Sequence, residues 1–411
     1  MEQAYLLPHL FRTEYSKIIA VLCNHFGIDY IEVAEDIVSD TFLTATELWG
    51  IKGVPENPVA WLYTVAKNKT RNYLKRHNLF EKKITEDLKK QPADFETDID
   101  LSNSAIADSQ LAMIFTVCHP AVSKEAQIAL ALNLLCGFGV QEIGDAFLTN
   151  KETIYKRLKR AKEKLREENI PIAPPSVLMV EDRQEAVLTT LYLLFNEGYY
   201  SVSGHHPLKK DCCMEAMRLT LLLLENTLTN TPATNAIMAL MCFHASRFDA
   251  RTNSNGEIIL YEDQDTRLWN KELIEKGLYY MNNSASGNQI SKFHLEAGIA
   301  YWHTHSEDTK EKWEAILQLY NKLLMLEYTP VAALNRTYAL AKANSVEEAI
   351  TEAEKLNLTD NHFYFVLLGK LYEHTDPTKA RTLLQTAKDL ARSENDRQLI
   401  QKKISELKEI S

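Results

Sequence analysis

The chain has 411 residues, a length that excludes a single small module and calls for two to four domains. Hydrophobic residues at 45% and charged residues at 25% exclude a long disordered protein, and only 13 Gly and 12 Pro argue against turn-rich sandwiches and barrels, which leaves an all-α fold. A net charge of −10 excludes a protein that coats nucleic acid through its whole surface, so any basic face must be local.

The first residues, MEQAYLLPHLFRTEY, lack a basic stretch followed by an apolar run, so no secretory signal is expected. Apolar stretches fall short of the ~20 residues that cross a bilayer. The six cysteines (Cys23, Cys118, Cys136, Cys212, Cys213 and Cys242) lie in apolar helical patterns without C-x-x-C pairs. Buried free thiols and a cytoplasmic location are the expectation, with no metal and no cofactor.

Residues 59–76 (VAWLYTVAKNKTRNYLKR) read as a helix with Trp61, Leu62, Val65 and Ala66 inward. Lys67, Asn68, Arg71, Asn72, Lys75 and Arg76 remain available outward. Base mixed with amide and aromatic groups suits a phosphate backbone and unpaired bases, although a basic surface helix has the same composition. Residues 91–108 carry Asp94, Glu96, Asp98, Asp100 and Asp108 without helical periodicity and read as an acidic flexible linker.

Residues 141–166 (QEIGDAFLTNKETIYKRLKRAKEKLR) form the most informative stretch. Ile143, Ala146 and Phe147 give a short apolar face. Thr149 or Asn150 then caps a second helix with Ile154, Leu158, Ala161 and Leu165 inward. Lys151, Tyr155, Lys156, Lys159, Arg160 and Lys162 are expected on its opposite face. A short helix, a tight turn and a longer basic helix describe a helix-turn-helix, whose second helix enters the major groove. Sequence readout is expected from Asn150, Lys151, Thr153, Tyr155, Lys156, Lys159 and Arg160. A solvated helix whose lysines pair with Glu163, Glu167 and Glu168 is the competing reading.

Three prolines in residues 170–176 (IPIAPPS) deny helix there and suggest a domain boundary. Helical patterns follow to the end. A shift of 34 residues superimposes Leu334 on Leu368, Tyr338 on Tyr372, Ile350 on Leu384, Ala353 on Ala387 and Leu356 on Leu390. That is the tetratricopeptide period, with a further copy suggested by Gly298 and Tyr301, and it predicts a helical solenoid.

Residues 251–262 imitate a calcium loop through Asn253, Asn255, Gly256 and Glu262, but Arg251 replaces the first carboxylate and would repel the cation. His205, His206, His303 and His305 lack suitably spaced partners. Glu262, Asp263 and Asp265 have no histidine at helical spacing. An enzyme is not expected, because no nucleophile meets its base and no metal triad is present.

The order and spacing of these segments resemble a sigma factor of the extracytoplasmic-function group of bacterial RNA polymerase. Residues 35–42 (EDIVSDTF) are similar to that family's D-x-x-Q-E-x-F polymerase-binding helix, and residues 61–76 to its W-L-x-x-I-A-x-N-x-x-x-D-x-x-R-R helix for the −10 element. Ser39 stands where Gln is usual, Asp40 replaces Glu, and Asn72 occupies the usual Asp position. Residues 191–199 (LYLLFNEGY) and 259–269 (ILYEDQDTRLW) look like signature stretches of the subgroup with a TPR-like extension.

The resemblance implies region 2 in residues 1–85, an acidic linker in 86–108, region 4 in 109–170, a Pro-rich linker in 171–176 and a TPR-like domain in 177–411. It implies core RNA polymerase and promoter DNA as partners, a possible protein partner of the last domain, and no membrane. Asp36, Ile37, Asp40 and Phe42 would bind the polymerase, the 67–76 set the −10 element and the 150–160 set the −35 element. Two readers on a tether gain from effective concentration. A standalone helix-turn-helix regulator with a ligand- or peptide-binding solenoid is the alternative.

Overall fold

The computed structural model describes residues 2–85, 99–147, 149–200, 208–251, 259, 261–391 and 394–407. Among them every regular element is helical, as the composition predicts, and they divide into two compact units. The first takes the residues up to Gly198 together with Leu208–Thr229. The second takes Tyr199, Tyr200 and everything from Asn230 onward.

The first unit opens with α1 (Glu2–Phe26), α2 (Ile31–Lys52) and α3 (Pro58–Thr85). Positive backbone angles at Gly27 (φ 88°) and Gly53 (φ 84°) reverse the chain after α1 and α2, where a side chain would be strained. Ile18, Ile19 and Leu22 of α1, Ile31, Val38 and Ala45 of α2, and Leu62 and Ala66 of α3 are buried between the three helices.

Ser102 caps α4 (Asn103–Val117) by accepting from the Ala105 N–H. Residues 86–98 of the expected linker lie outside the described residues, and its last part, Asn103 to Asp108, is helix. Every residue of α4 from Ser109 to Val117 is buried, partly against α1, where Asn24 Nδ2 donates to Ser109 Oγ at 3.1 Å. α5 (Lys124–Leu130) widens into a π turn at Ala131–Leu135, and α6 (Val140–Ala146) and α7 (Lys151–Glu167) follow.

Pro171, Pro174 and Pro175 interrupt the helices as expected, yet the chain does not leave the first unit there. α8 (Val177–Tyr200) returns to α5, where Thr190 Oγ1 donates to Gln127 Oε1 at 3.1 Å. α9 (Leu208–Glu225) returns to the π turn, where Arg218 Nη2 donates to the Leu135 carbonyl at 3.0 Å. The compact division therefore falls about two helices later than the proline-rich stretch.

The second unit runs from α10 (Pro232–Ala245) through α11 (Lys271–Ser284), α12 (Lys292–Trp302), α13 (Lys310–Leu326), α14 (Pro330–Ala343), α15 (Val346–Leu356), α16 (His362–Tyr372) and α17 (Pro377–Leu390) to α18 (Glu394–Glu406). Each helix packs on its chain neighbour. Of the pairs set 34 apart, Leu334 and Leu368 are both buried, as are Ala353 and Ala387, whereas the half-buried Ile350 and Leu356 correspond to a buried Leu384 and an exposed Leu390. The imitation calcium loop falls mostly on residues 252–258 and 260, outside the described residues, as do His205 and His206. No described helix is long and apolar enough to cross a membrane, and all six cysteines are buried free thiols.

Candidate nucleic-acid interface

α3 begins where Asn57 accepts from the Ala60 N–H at 3.0 Å. Leu62, Ala66 and Thr70, four apart, form the buried face. Asn68, Arg71, Asn72, Lys75 and Arg76 recur at i, i+3, i+4, i+7 and i+8, and all five are exposed on one stripe. Lys67 sits at its edge, half-buried, with Nζ 3.5 Å from the Ile99 carbonyl. Trp61 is half-buried and meets Trp49 edge-on with ring centroids 5.3 Å apart, while the buried Tyr63 hydroxyl donates to Glu14 at 3.1 Å. The rings fix the helix and leave the amides and cations to solvent.

α2 carries the acidic set. Asp36 and Asp40 are exposed, whereas Ile37 (8% exposed) and Phe42 (5%) are buried. Of the four residues expected to meet a partner, Asp36 and Asp40 face outward, whereas Ile37 and Phe42 depart from the expectation and belong to the interior. Phe42 packs edge-on against Phe11, centroids 5.0 Å apart, and holds α2 on α1. Asp40 is ion-paired with Lys69 of α3, which also donates to Thr44 at 2.9 Å, so the acidic face of α2 and the basic stripe of α3 are neighbours.

The short helix and the longer basic helix expected in residues 141–166 are α6 and α7. A Cβ on Gly144 would lie 3.0 Å from the Thr149 carbonyl, a tight approach that glycine relieves. Asn150 caps α7, its Oδ1 accepting from the Thr153 N–H at 2.8 Å. Ile154, Leu158, Ala161 and Leu165 are buried as the periodicity predicts. Asn150, Lys151, Thr153, Tyr155, Lys156, Lys159 and Arg160 are all exposed, with Tyr155 at 59%. A tyrosine standing in solvent between lysines has little to do for the fold of its own helix.

Lys162 departs from the expectation. It is buried, and its Nζ donates to Glu35 Oε1 at 2.8 Å and Oε2 at 2.7 Å on α2. Burial pushes the Glu35 carboxyl up, and Lys162 pulls it back only in part. One turn on, Arg166 is paired with Glu32. Position 162 follows Leu158 by four residues, which is the spacing that marks it as lying on the inward face; a lysine there signals a buried carboxylate partner. Sequence reasoning also missed Arg12. It lies 3.8 Å from Glu142 of α6, 3.6 Å from Asp211 of α9, and 4.5 Å above the Phe138 ring.

With these surfaces defined, residues 10–79 match the Sigma-70 region 2 family and residues 183–285 match a family of unknown function, DUF6596. An uncharacterized protein of Rhizobium meliloti (strain 1021) is 31% identical over 383 residues, which cover 92% of this chain and 90% of that protein. No solved structure matches the chain significantly. The region 2 match contains α2 and the basic stripe of α3, and the second match contains α9 and Arg247.

Proposed function

We propose that this chain, which belongs to the sigma-70 family of non-enzymatic transcription initiation factors, is of the extracytoplasmic-function type. Family membership through region 2 brings core RNA polymerase binding and use of promoter DNA. Beyond that, α2 docks the polymerase through Asp36 and Asp40, α3 captures the −10 strand, and α7 reads the −35 duplex. The second unit is a TPR-like solenoid that regulates initiation and binds a protein partner. The observation that carries this reading is the pair of solvent-facing basic stripes, one on α3 within the region 2 match and one on α7 after the tight turn that follows α6. Unpaired bases need amides and cations along one face, and a major groove needs a helix whose first turns are uncovered.

The deciding experiment measures promoter binding with and without core polymerase. A sigma factor gains tight promoter binding only with core, whereas a standalone regulator binds duplex alone. Asp40→Arg in the same assay replaces an acidic contact by a like charge and is expected to weaken core binding by about 2–4 kcal/mol. Undiminished co-purification of core with this variant would remove α2 from the docking surface.

A further inference from the structure

The second unit buries positive charge that its own acids do not match. Arg247, two residues past α10, is 7% exposed, and Lys312, in the first turn of α13, is 2% exposed. The Arg247 guanidinium carbon lies 5.3 Å and the Lys312 Nζ 5.1 Å from the centre of the Tyr261 ring. Among the described residues neither cation has a carboxylate within ion-pair distance. The acids close by are engaged elsewhere: Asp308 lies 2.9 Å from Lys342 and accepts from Trp313, Glu262 accepts from Tyr338 at 2.6 Å, and Asp265 lies 2.8 Å from Arg267. Asp308 and Lys342 cancel, and Arg247 with Lys312 leaves a surplus of about two positive charges where water is largely excluded and unmatched charge is costly.

Unpartnered nitrogens surround the same ring. Lys312 uses its three protons on the Tyr261 hydroxyl at 2.9 Å, the His305 carbonyl at 2.7 Å and the Glu307 carbonyl at 3.4 Å, so it supplies charge and no free N–H. Arg247 donates through Nη2 to the Tyr199 hydroxyl at 3.3 Å, but its buried Nε has no acceptor. Trp269, 8% exposed, stacks on Tyr261 with centroids 6.3 Å apart, and its buried indole Nε1 has no acceptor either. His303 meets Tyr261 edge-on at 5.0 Å with Nδ1 unpartnered. The backbone holds the first two together, because the Asn270 N–H beside Trp269 donates to the Ser246 carbonyl beside Arg247 at 2.7 Å. Native chains rarely bury such nitrogens without partners, and these stand beside two unmatched cations.

We propose that this cluster binds the dianion of a phosphate group, free or as a small monoester, with Arg247 Nε, Trp269 Nε1 and His303 Nδ1 as its contacts and Lys312 as the second charge. Two positive charges favour a dianion over a carboxylate, and a guanidinium matches the spacing of its oxygens. The phosphates of nucleic acid do not suit the site: each is a diester with one charge and two bulky substituents, whereas Arg247 and Trp269 are buried. Tyr261 and His303 are half-buried, so a small ligand enters on their side. The inference concerns the second unit alone and does not rest on the sigma-factor reading; it gives the extension a chemical input of its own.

The test is equilibrium dialysis of the full chain against radiolabelled inorganic phosphate at slightly alkaline pH, where phosphate is a dianion. Saturable retention of one phosphate per chain is expected, displaced by glycerol phosphate or sulfate but not by acetate or chloride at equal ionic strength. Stronger displacement by glycerol phosphate than by unlabelled phosphate assigns the site to monoesters, and the reverse assigns it to the free ion. Trp269→Phe keeps the ring and removes the N–H, and should weaken retention about tenfold; Arg247→Lys keeps the charge and removes the guanidinium, and should weaken it further. Circular dichroism checks that each variant keeps the parent helix content, and if Arg247→Lys unfolds, Trp269→Phe decides. Lys310→Ala, which removes an exposed cation on the same helix as Lys312, should leave retention unchanged. No saturable retention by the parent chain, parent-strength retention in folded Trp269→Phe, an equal loss in Lys310→Ala, or displacement by acetate as strong as by sulfate would overturn the site.

Discussion

At Lys159 the side chain stands clear of the protein, 60% exposed and only 3.9 Å from Glu163, so its ammonium is free to leave that weak pair for a phosphate. Lys159→Ala is expected to weaken binding to all −35 sequences alike and to reduce the log-log salt slope by about one. A slope equal to that of the parent chain would show that this lysine does not touch DNA. In the second unit Arg247 and Lys312 are both buried beside Tyr261; Lys312 donates to the Tyr261 hydroxyl at 2.9 Å and to the His305 carbonyl at 2.7 Å. His303 meets Tyr261 edge-on beside both cations, and burial followed by their repulsion lowers its pKa from 6.5 to about 3. The folded chain keeps this imidazole neutral while the unfolded chain takes up a proton near pH 6.5. Its contribution is therefore complete above 6.5 and is lost as the pH falls towards about 3, a loss on the order of a few kcal/mol. His303→Gln should move the acid-unfolding midpoint of the intact chain to lower pH, as followed by circular dichroism, and an unmoved midpoint would exclude His303 as the source of acid sensitivity.

Helices in the second unit meet closely where glycine removes the side chain. A Cβ on Gly369 of α16 would lie 2.7 Å from Leu384 Cγ of α17, and one on Gly298 of α12 would lie 3.1 Å from Leu319 of α13. Gly369 and Gly298 each stand three residues before a tyrosine, Tyr372 and Tyr301. Gly369→Ala must push a buried leucine off its rotamer and is expected to cost about 1–3 kcal/mol. Gly50 of α2 has nothing within 4 Å of its Cβ position, and Gly50→Ala should stabilise the chain by roughly 0.5–1 kcal/mol through helix propensity. Thermal unfolding of the two variants separates packing from propensity, and a stabilising Gly369→Ala would mean that α16 and α17 are not packed at this distance.

Among the described residues the first compact unit continues past the prolines of 170–176 and takes in α9 as far as Thr229. A fragment of residues 1–176 would strip α8 from Gln127 and α9 from the Leu135 carbonyl, leaving the faces of α4 and the π turn open to water. Residues 1–229 keep both. The longer fragment is expected to unfold cooperatively, and the shorter one to be weaker by on the order of 5 kcal/mol, or about 10–20 °C in midpoint. Equal midpoints would show that α8 and α9 contribute nothing to the first unit. Transcription by residues 1–229 and by the intact chain from one promoter then assigns the sign of the second unit's effect, because the first unit is left whole in both.

Helix periods, caps and breakers are local, so they were legible without the fold. The inward faces of α3 and α7, the Asn150 cap, the solvent stripe from Asn68 to Arg76 and the proline interruption all follow from spacing within a few turns. What a side chain meets on another helix is not local. Ile37 and Phe42 turned inward because α1 lies under α2, and Lys162 turned inward because Glu35 stands 127 residues away in sequence but at hydrogen-bond distance. Likewise the prolines could end a helix but not decide where the chain went next; that was settled by Gln127 and Leu135, which gave α8 and α9 partners in the first unit. Backbone conformation is set by neighbours along the chain, whereas burial of a charge or an apolar face depends on which surfaces the fold brings together, and that sum exists only once the chain has packed.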